Sequence, residues 1–90
     1  MQKARNYKIL YTEKAKKELS KLSAIDIEHS LKNISYLDLP FPPSLNIRKM
    51  TKTVNFYRLK FSKIRIIFEL DSSQKTIWIR KIGYRKDIYR

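Results

Sequence analysis

Two runs of alternating side chains set two residues apart limit what this chain can fold into. They are Phe56-Tyr57-Arg58-Leu59-Lys60-Phe61 and Ile64-Arg65-Ile66-Ile67-Phe68-Glu69-Leu70. Successive side chains on a strand point to opposite faces. Tyr57, Leu59 and Phe61 therefore share one face with Ile64, Ile66, Phe68 and Leu70 if Ser62-Lys63 is a tight turn. Arg58, Lys60 and Arg65 share the other, with Lys60 directly opposite Arg65. Like charges facing each other across a strand pair destabilise it. Folding gives no reason for that arrangement, so an anion belongs there.

The rest of the chain must cover the apolar face. Asn6 to Tyr11 reads as an opening strand with Tyr7, Ile9 and Tyr11 on one side. Thr12 is a helix N-cap, with Glu13 in the first turn where the helix dipole favours an acid. Ala15, Leu19 and Leu22 form the apolar stripe of this helix. Ser23 caps a second helix, with Asp26 three residues on as in a capping box, and Ile27, Leu31 and Ile34 give its stripe. Pro40, Pro42 and Pro43 end the helices in an extended loop. Leu45 to Met50 reads as a short strand, and Asp71-Ser72-Ser73-Gln74 as a turn. Thr76 to Ile82 is the last strand. Pairing Leu70 with Lys75 puts Ile77 and Ile79 in the core and sets Arg80 beside Arg65. Gly83, the only glycine, is expected to use its backbone freedom to release a tail from Tyr84 to Arg90. The order predicts an α+β two-layer sandwich: an N-terminal strand and a helical hairpin packed on an antiparallel sheet of four to five strands.

Charge narrows the function. Twenty-one Lys+Arg against eight Asp+Glu give a net charge of +13, which implies a polyanionic partner, nucleic acid first. The chain has no cysteine and a single histidine, His29, which argues against a zinc site and disulfides and fits a reducing compartment. Met1 to Leu10 lacks the apolar core of a signal peptide, and no apolar run is long enough to span a bilayer. There is no Gly-rich phosphate loop and no acidic cluster for magnesium. No metal or other cofactor is expected.

What remains is a cationic, partly aromatic site able to act on a phosphodiester without metal. RNA carries its own nucleophile, the 2′-hydroxyl. An enzyme then needs a base, positioning, help for the leaving oxygen and positive charge around the phosphorane. A lysine is ordinarily too basic for the first task, with a pKa of about 10.4, but neighbouring arginines lower it. Lys60 meets that condition beside Arg58 and Arg65. Arginine stays charged and serves as an electrostatic stabiliser. An aromatic such as Tyr89 can stack on an unpaired base.

The order strand–helix–helix–strands, the stretch FYRLKFSKIRIIFEL and the ending IRKIGYRKDIY resemble the RelE/ParE toxin superfamily over nearly the whole of residues 1–90, and its RelE-like mRNA interferase branch in particular. The resemblance implies one toxin domain whose first and last strands are adjacent. It also implies an antitoxin partner, a cytoplasmic location and ribosome-dependent, metal-independent cleavage of mRNA, with ribosomal RNA contacted through the basic surface. By motif position, Lys60 matches the general base, Arg65 the phosphate-holding arginine and Arg85 the arginine near the leaving oxygen. Tyr89 matches the terminal aromatic. Arg58 stands where the best-known pattern has lysine, and Tyr84 where many relatives have histidine. The segment from Arg85 to Tyr89 is shorter than in that pattern. Arg58, Arg80, Tyr84 and Lys86 are candidate nucleic-acid contacts. The ParE branch, which poisons DNA gyrase on the same scaffold, lacks the full catalytic set, and a non-cutting, nucleic-acid-binding relative is the other alternative. Trp78 reads as packing or an antitoxin contact, and His29 as an exposed helix residue.

Overall fold

The computed structural model describes residues 5–88, so Tyr89 lies outside the described residues. Strand β1 (Lys8–Tyr11) leads into α1 (Glu13–Ser20) and α2 (Ala24–Ser35). Four further strands follow, β2 (Asn46–Lys49), β3 (Phe56–Phe61), β4 (Ile64–Asp71) and β5 (Thr76–Tyr84), and then a single helical turn, α3 (Arg85–Ile88). Both predicted caps form. The Thr12 hydroxyl accepts from the Ala15 N–H at 3.1 Å, and the Ser23 hydroxyl accepts from the Asp26 N–H at 3.2 Å.

The sheet runs β1-β5-β4-β3-β2. The four strands β2 to β5 are antiparallel, and β1 joins β5 in parallel, with Lys8 opposite Thr76 and Tyr11 opposite Ile79. The sheet is thus mixed. A parallel partner requires a crossover, and α1 and α2 begin it. One face is packed by Ala15, Leu22, Ile34 and Leu37 onto Leu59, Ile64, Ile66, Phe68, Ile77, Ile79 and Ile82. Phe68 is fully buried at the centre, stacked on Tyr57 with ring centroids 5.6 Å apart and met edge-on by Phe41 at 5.9 Å.

The opening strand is tied down at its start. Asp38, just beyond α2, accepts from the backbone N–H groups of Asn6 (2.9 Å), Tyr7 (2.8 Å) and Leu39 (2.9 Å). Arg5 donates to the carbonyls of Ser35 and Leu37. Beyond Ile79 the outer edge of β5 is no longer covered by β1, and the Glu18 carboxylate accepts from the Ile82 N–H at 3.0 Å.

The β3–β4 register is as the alternation predicts: Tyr57 faces Phe68, Leu59 faces Ile66 and Lys60 faces Arg65. Ser62 turns the chain with a left-handed backbone, φ 51°, the conformation that tight hairpin turns require at this position. The β4–β5 pairing differs from expectation. Asp71 pairs with Thr76 and Leu70 with Ile77, not Lys75. The Asp71 carboxylate accepts from the Ser73 hydroxyl and the Gln74 N–H, which closes the turn.

A bulge then falls between Ile67, opposite Lys81, and Phe68, opposite Ile79. The inserted residue is Arg80, and the alternation of β5 changes phase after it. Because β5 is also shifted by two residues from the expected register, Arg80 sits by Glu69, with which it forms an ion pair, and not beside Arg65. Gly83 also departs from expectation. None of the left-handed residues, Lys52, Ser62 and Lys75, is a glycine. Strand β5 runs straight through Gly83, opposite Arg65, to Tyr84. The segment beyond folds back as α3, burying Ile88.

Candidate nucleic-acid interface

The face of the sheet turned away from the helices carries the cations. Register places them in two rows. Lys60 lies between Asn46 and Arg65, and Arg65 faces Gly83, which presents no side chain. In the next row Arg48 faces Arg58, Arg58 faces Ile67, and Ile67 faces Lys81. Sequence reasoning found Arg58, Lys60 and Arg65 but missed Arg48 and Lys81. The signal was present in β2, because Arg48 alternates with the anchor Ile47. For Lys81 it was hidden by the bulge, which turns this residue to the open face.

Arg65 is 8 % exposed, an uncommon state for a guanidinium. Its Nη1 donates to the carbonyls of Ser62 (3.0 Å) and Ile64 (2.9 Å), so the turn itself holds the group. The Arg85 N–H donates to the Lys63 carbonyl at 2.8 Å, tying the start of α3 to the same turn. Burial, then the charges of Arg65, Arg58, Arg48 and Arg85, hold the Lys60 ammonium below the ordinary lysine range. Both causes disfavour the protonated form. The cluster therefore joins a lysine more easily deprotonated than usual to several fixed positive charges.

Five of the acids are engaged away from these rows. Glu13 pairs with Lys16, Glu69 with Arg80, Asp26 with Tyr84, Asp38 with the N-terminal segment and Asp71 with its own turn. None of these engagements involves a cation of the two rows. Arg85 and Lys86 are exposed at the end of β5 and extend the positive surface. Among the described residues, no group of three or more His, Cys, Asp or Glu could hold a metal ion.

Two candidates sit apart from the rows. Tyr84 points to the helix side, where its hydroxyl donates to Asp26 Oδ2 at 2.9 Å and accepts from the Ser23 N–H at 3.2 Å. Lys63 Nζ lies 5.5 Å from the centre of its ring. Arg80 lies toward the other end of the open face, beside Trp78.

The architecture matches solved toxin structures, although no protein-family model and no curated protein matches the sequence. A chain of the RelE-RelB complex from Pyrococcus horikoshii superposes with a TM-score of 0.75 at 21% identity, covering 91% of this chain and 98% of that one. A chain of the RelB-RelE antitoxin-toxin complex from Methanococcus jannaschii gives 0.74 at 24% identity, covering 89% and 94%. The isolated E. coli RelE toxin gives 0.69 at 21% identity, covering 87% and 83%. The chain has the RelE-like toxin fold.

Proposed function

We propose that this chain, a RelE-like fold with a cationic open face, is the toxin of a type II toxin–antitoxin pair. Its activity is ribosome-dependent, metal-independent cleavage of mRNA in the cytoplasm. Residues 1–90 make up the one toxin domain, and a cognate antitoxin is its protein partner, as in the RelB-RelE complexes it resembles. The observation that carries the reading is Lys60, held below the ordinary lysine range at the centre of Arg48, Arg58, Arg65 and Arg85. No helix among the described residues is long and apolar enough to cross a membrane.

In this mechanism neutral Lys60 takes the proton of a ribose 2′-hydroxyl. The 2′-oxygen attacks the adjacent phosphorus and the bond to the 5′-oxygen of the next nucleotide breaks. The products are a 2′,3′-cyclic phosphate and a 5′-hydroxyl. Arg65, already fixed by two carbonyls, holds the phosphate without reorganising during reaction, the condition under which electrostatic stabilisation counts most. Arg58 adds charge to the phosphorane, and Arg85 supports the leaving oxygen while water protonates it. Tyr89 is assigned to stacking on the substrate. Lys86 and Arg48 contact flanking phosphates.

Primer extension on a reporter mRNA in a cell-free translation system tests this. New cuts inside codons are expected, present only during translation and lost in Arg85→Ala. Intact mRNA with normal translation would overturn the nuclease reading and direct attention to a gyrase supercoiling assay.

A further inference from the structure

The open face does not end at its cations. Toward the β4–β5 turn it gives way to a hollow of about 540 Å³, bounded by Val54, Asn55, Glu69, Asp71, Trp78 and Arg80. The geometry points to this hollow as a nucleobase pocket, with Trp78 as its stacking surface, for the RNA strand whose phosphates the cations hold. The inference rests on the nuclease reading and extends it by one subsite.

Four observations carry it. Trp78 stands opposite Glu69, on the open face with Lys60 and Arg65. Its indole is braced: the Arg80 guanidinium lies 5.9 Å from the ring centre and is itself held by Glu69 Oε1. Glu69 Oε2 in turn accepts from Asn55 Nδ2 at 3.3 Å. Second, the charge changes sign locally. Arg80 is matched by Glu69, and Asp71 adds a further carboxylate to the wall. A phosphate is repelled there, whereas a neutral base with a π face is not. Third, Val54 is 86% exposed on the rim, an apolar side chain that the fold itself does not use. A stacked base would cover it. Fourth, Glu69 is four residues along β4 from Arg65, a separation of about 13 Å at the usual strand rise. That is within reach of the next nucleotide or two of an extended strand.

Trp78 is the only tryptophan, so its emission reports on this hollow alone. Short 2′-O-methyl oligoribonucleotides, which have no free nucleophile and are not cut, serve as probes at low salt. Binding is followed separately by anisotropy of an end label. Saturating oligonucleotide is expected to quench Trp78, and an abasic residue at one register position to restore emission while binding persists. Trp78→Ala should weaken binding by roughly tenfold, in line with the loss of one stacked base, with Trp78→Phe close to wild type. Anisotropy showing binding while Trp78 emission stays unchanged, or changes alike for every abasic position, overturns the pocket. That outcome leaves the cationic site intact and the hollow to a protein partner. Absence of binding even at low salt overturns the pocket and the RNA reading of the whole face together.

Discussion

At the scale of single residues, the site turns on how one ammonium is treated by its surroundings. Lys60 is partly buried and surrounded by arginines that stay charged at any working pH. A general base must be neutral, so the single-turnover cleavage rate should rise with pH through the Lys60 pKa. It should level off below the pH at which an ordinary lysine titrates. Removing a neighbouring positive charge relaxes the ammonium, so Arg48→Gln should move the rising limb to higher pH while leaving the plateau in place. A pH–rate profile of the two proteins checks this, and an unmoved limb would remove Arg48 from the account. Tyr84 makes the opposite case. Its hydroxyl is committed to Asp26 and the Ser23 N–H on the helix side, and Asp26 is held below the usual carboxylate range first by that bond. Tyr84→Phe should lower the thermal midpoint slightly and leave the shape of the pH–rate profile unchanged. A profile that lost one limb would mean that this hydroxyl moves a proton.

At the scale of elements, the clasp on the opening strand is the point of greatest leverage. Burial pushes the Asp38 carboxyl up, but the backbone N–H groups of Asn6, Leu39 and Tyr7, with the charge of Arg5, outweigh it and hold the group below the usual range. A depressed folded-state pKa contributes stability that is present above the unfolded value and is lost as pH falls through the folded one. Asp38→Asn keeps one acceptor oxygen and loses the other, so it should cost roughly 1–3 kcal/mol by leaving a backbone N–H poorly paired. Urea denaturation at neutral pH measures that cost. The difference from wild type should shrink as pH falls below the ordinary aspartate range, where the unfolded chain takes up the Asp38 proton before the folded one does. Elements also mark what the sequence made legible. The β3–β4 register followed from strict alternation, because a slip of one residue would turn Leu59, Ile66 and Phe68 outward. The caps followed from Thr12 and Ser23. The adjacency of β1 and β5 is non-local and leaves no periodic trace; only the family resemblance indicated it, and the parallel sense of the pair, against an expected antiparallel sheet, was not read at all. The bulge at Arg80 was invisible for a related reason. β5 reads Ile77, Ile79 and then Ile82, and nothing in that spacing says whether the extra residue is looped out or the strand has ended. Lys81 was missed through that one residue, whereas Arg80 and Gly83 were misplaced chiefly by the two-residue difference in the β4–β5 register.

At the scale of the whole molecule, the net charge of +13 is not spread evenly in its effects. Glu13, Asp26, Asp38, Glu69 and Asp71 are spent on clasps, pairs and turns that involve none of the cations of the two rows. Binding of single-stranded RNA should therefore weaken steeply with salt, and each phosphate contact removed should reduce the slope of log K against log[salt] by about 0.7. Arg48→Gln and Lys81→Gln should each show that decrement, whereas Lys17→Gln on α1 should not. Titrations at several salt concentrations decide it, and equal slopes for all three variants would mean that binding is diffuse. The order of the sheet has a consequence for how the protein comes into being. Strand β1 is made before the other strands described, but its neighbour in the sheet is β5, made after them all. Arg85, which completes the cation cluster around Lys60, emerges later still. Until β5 and Arg85 have been added, the nascent chain has neither the β1–β5 pairing nor the full cation cluster around Lys60.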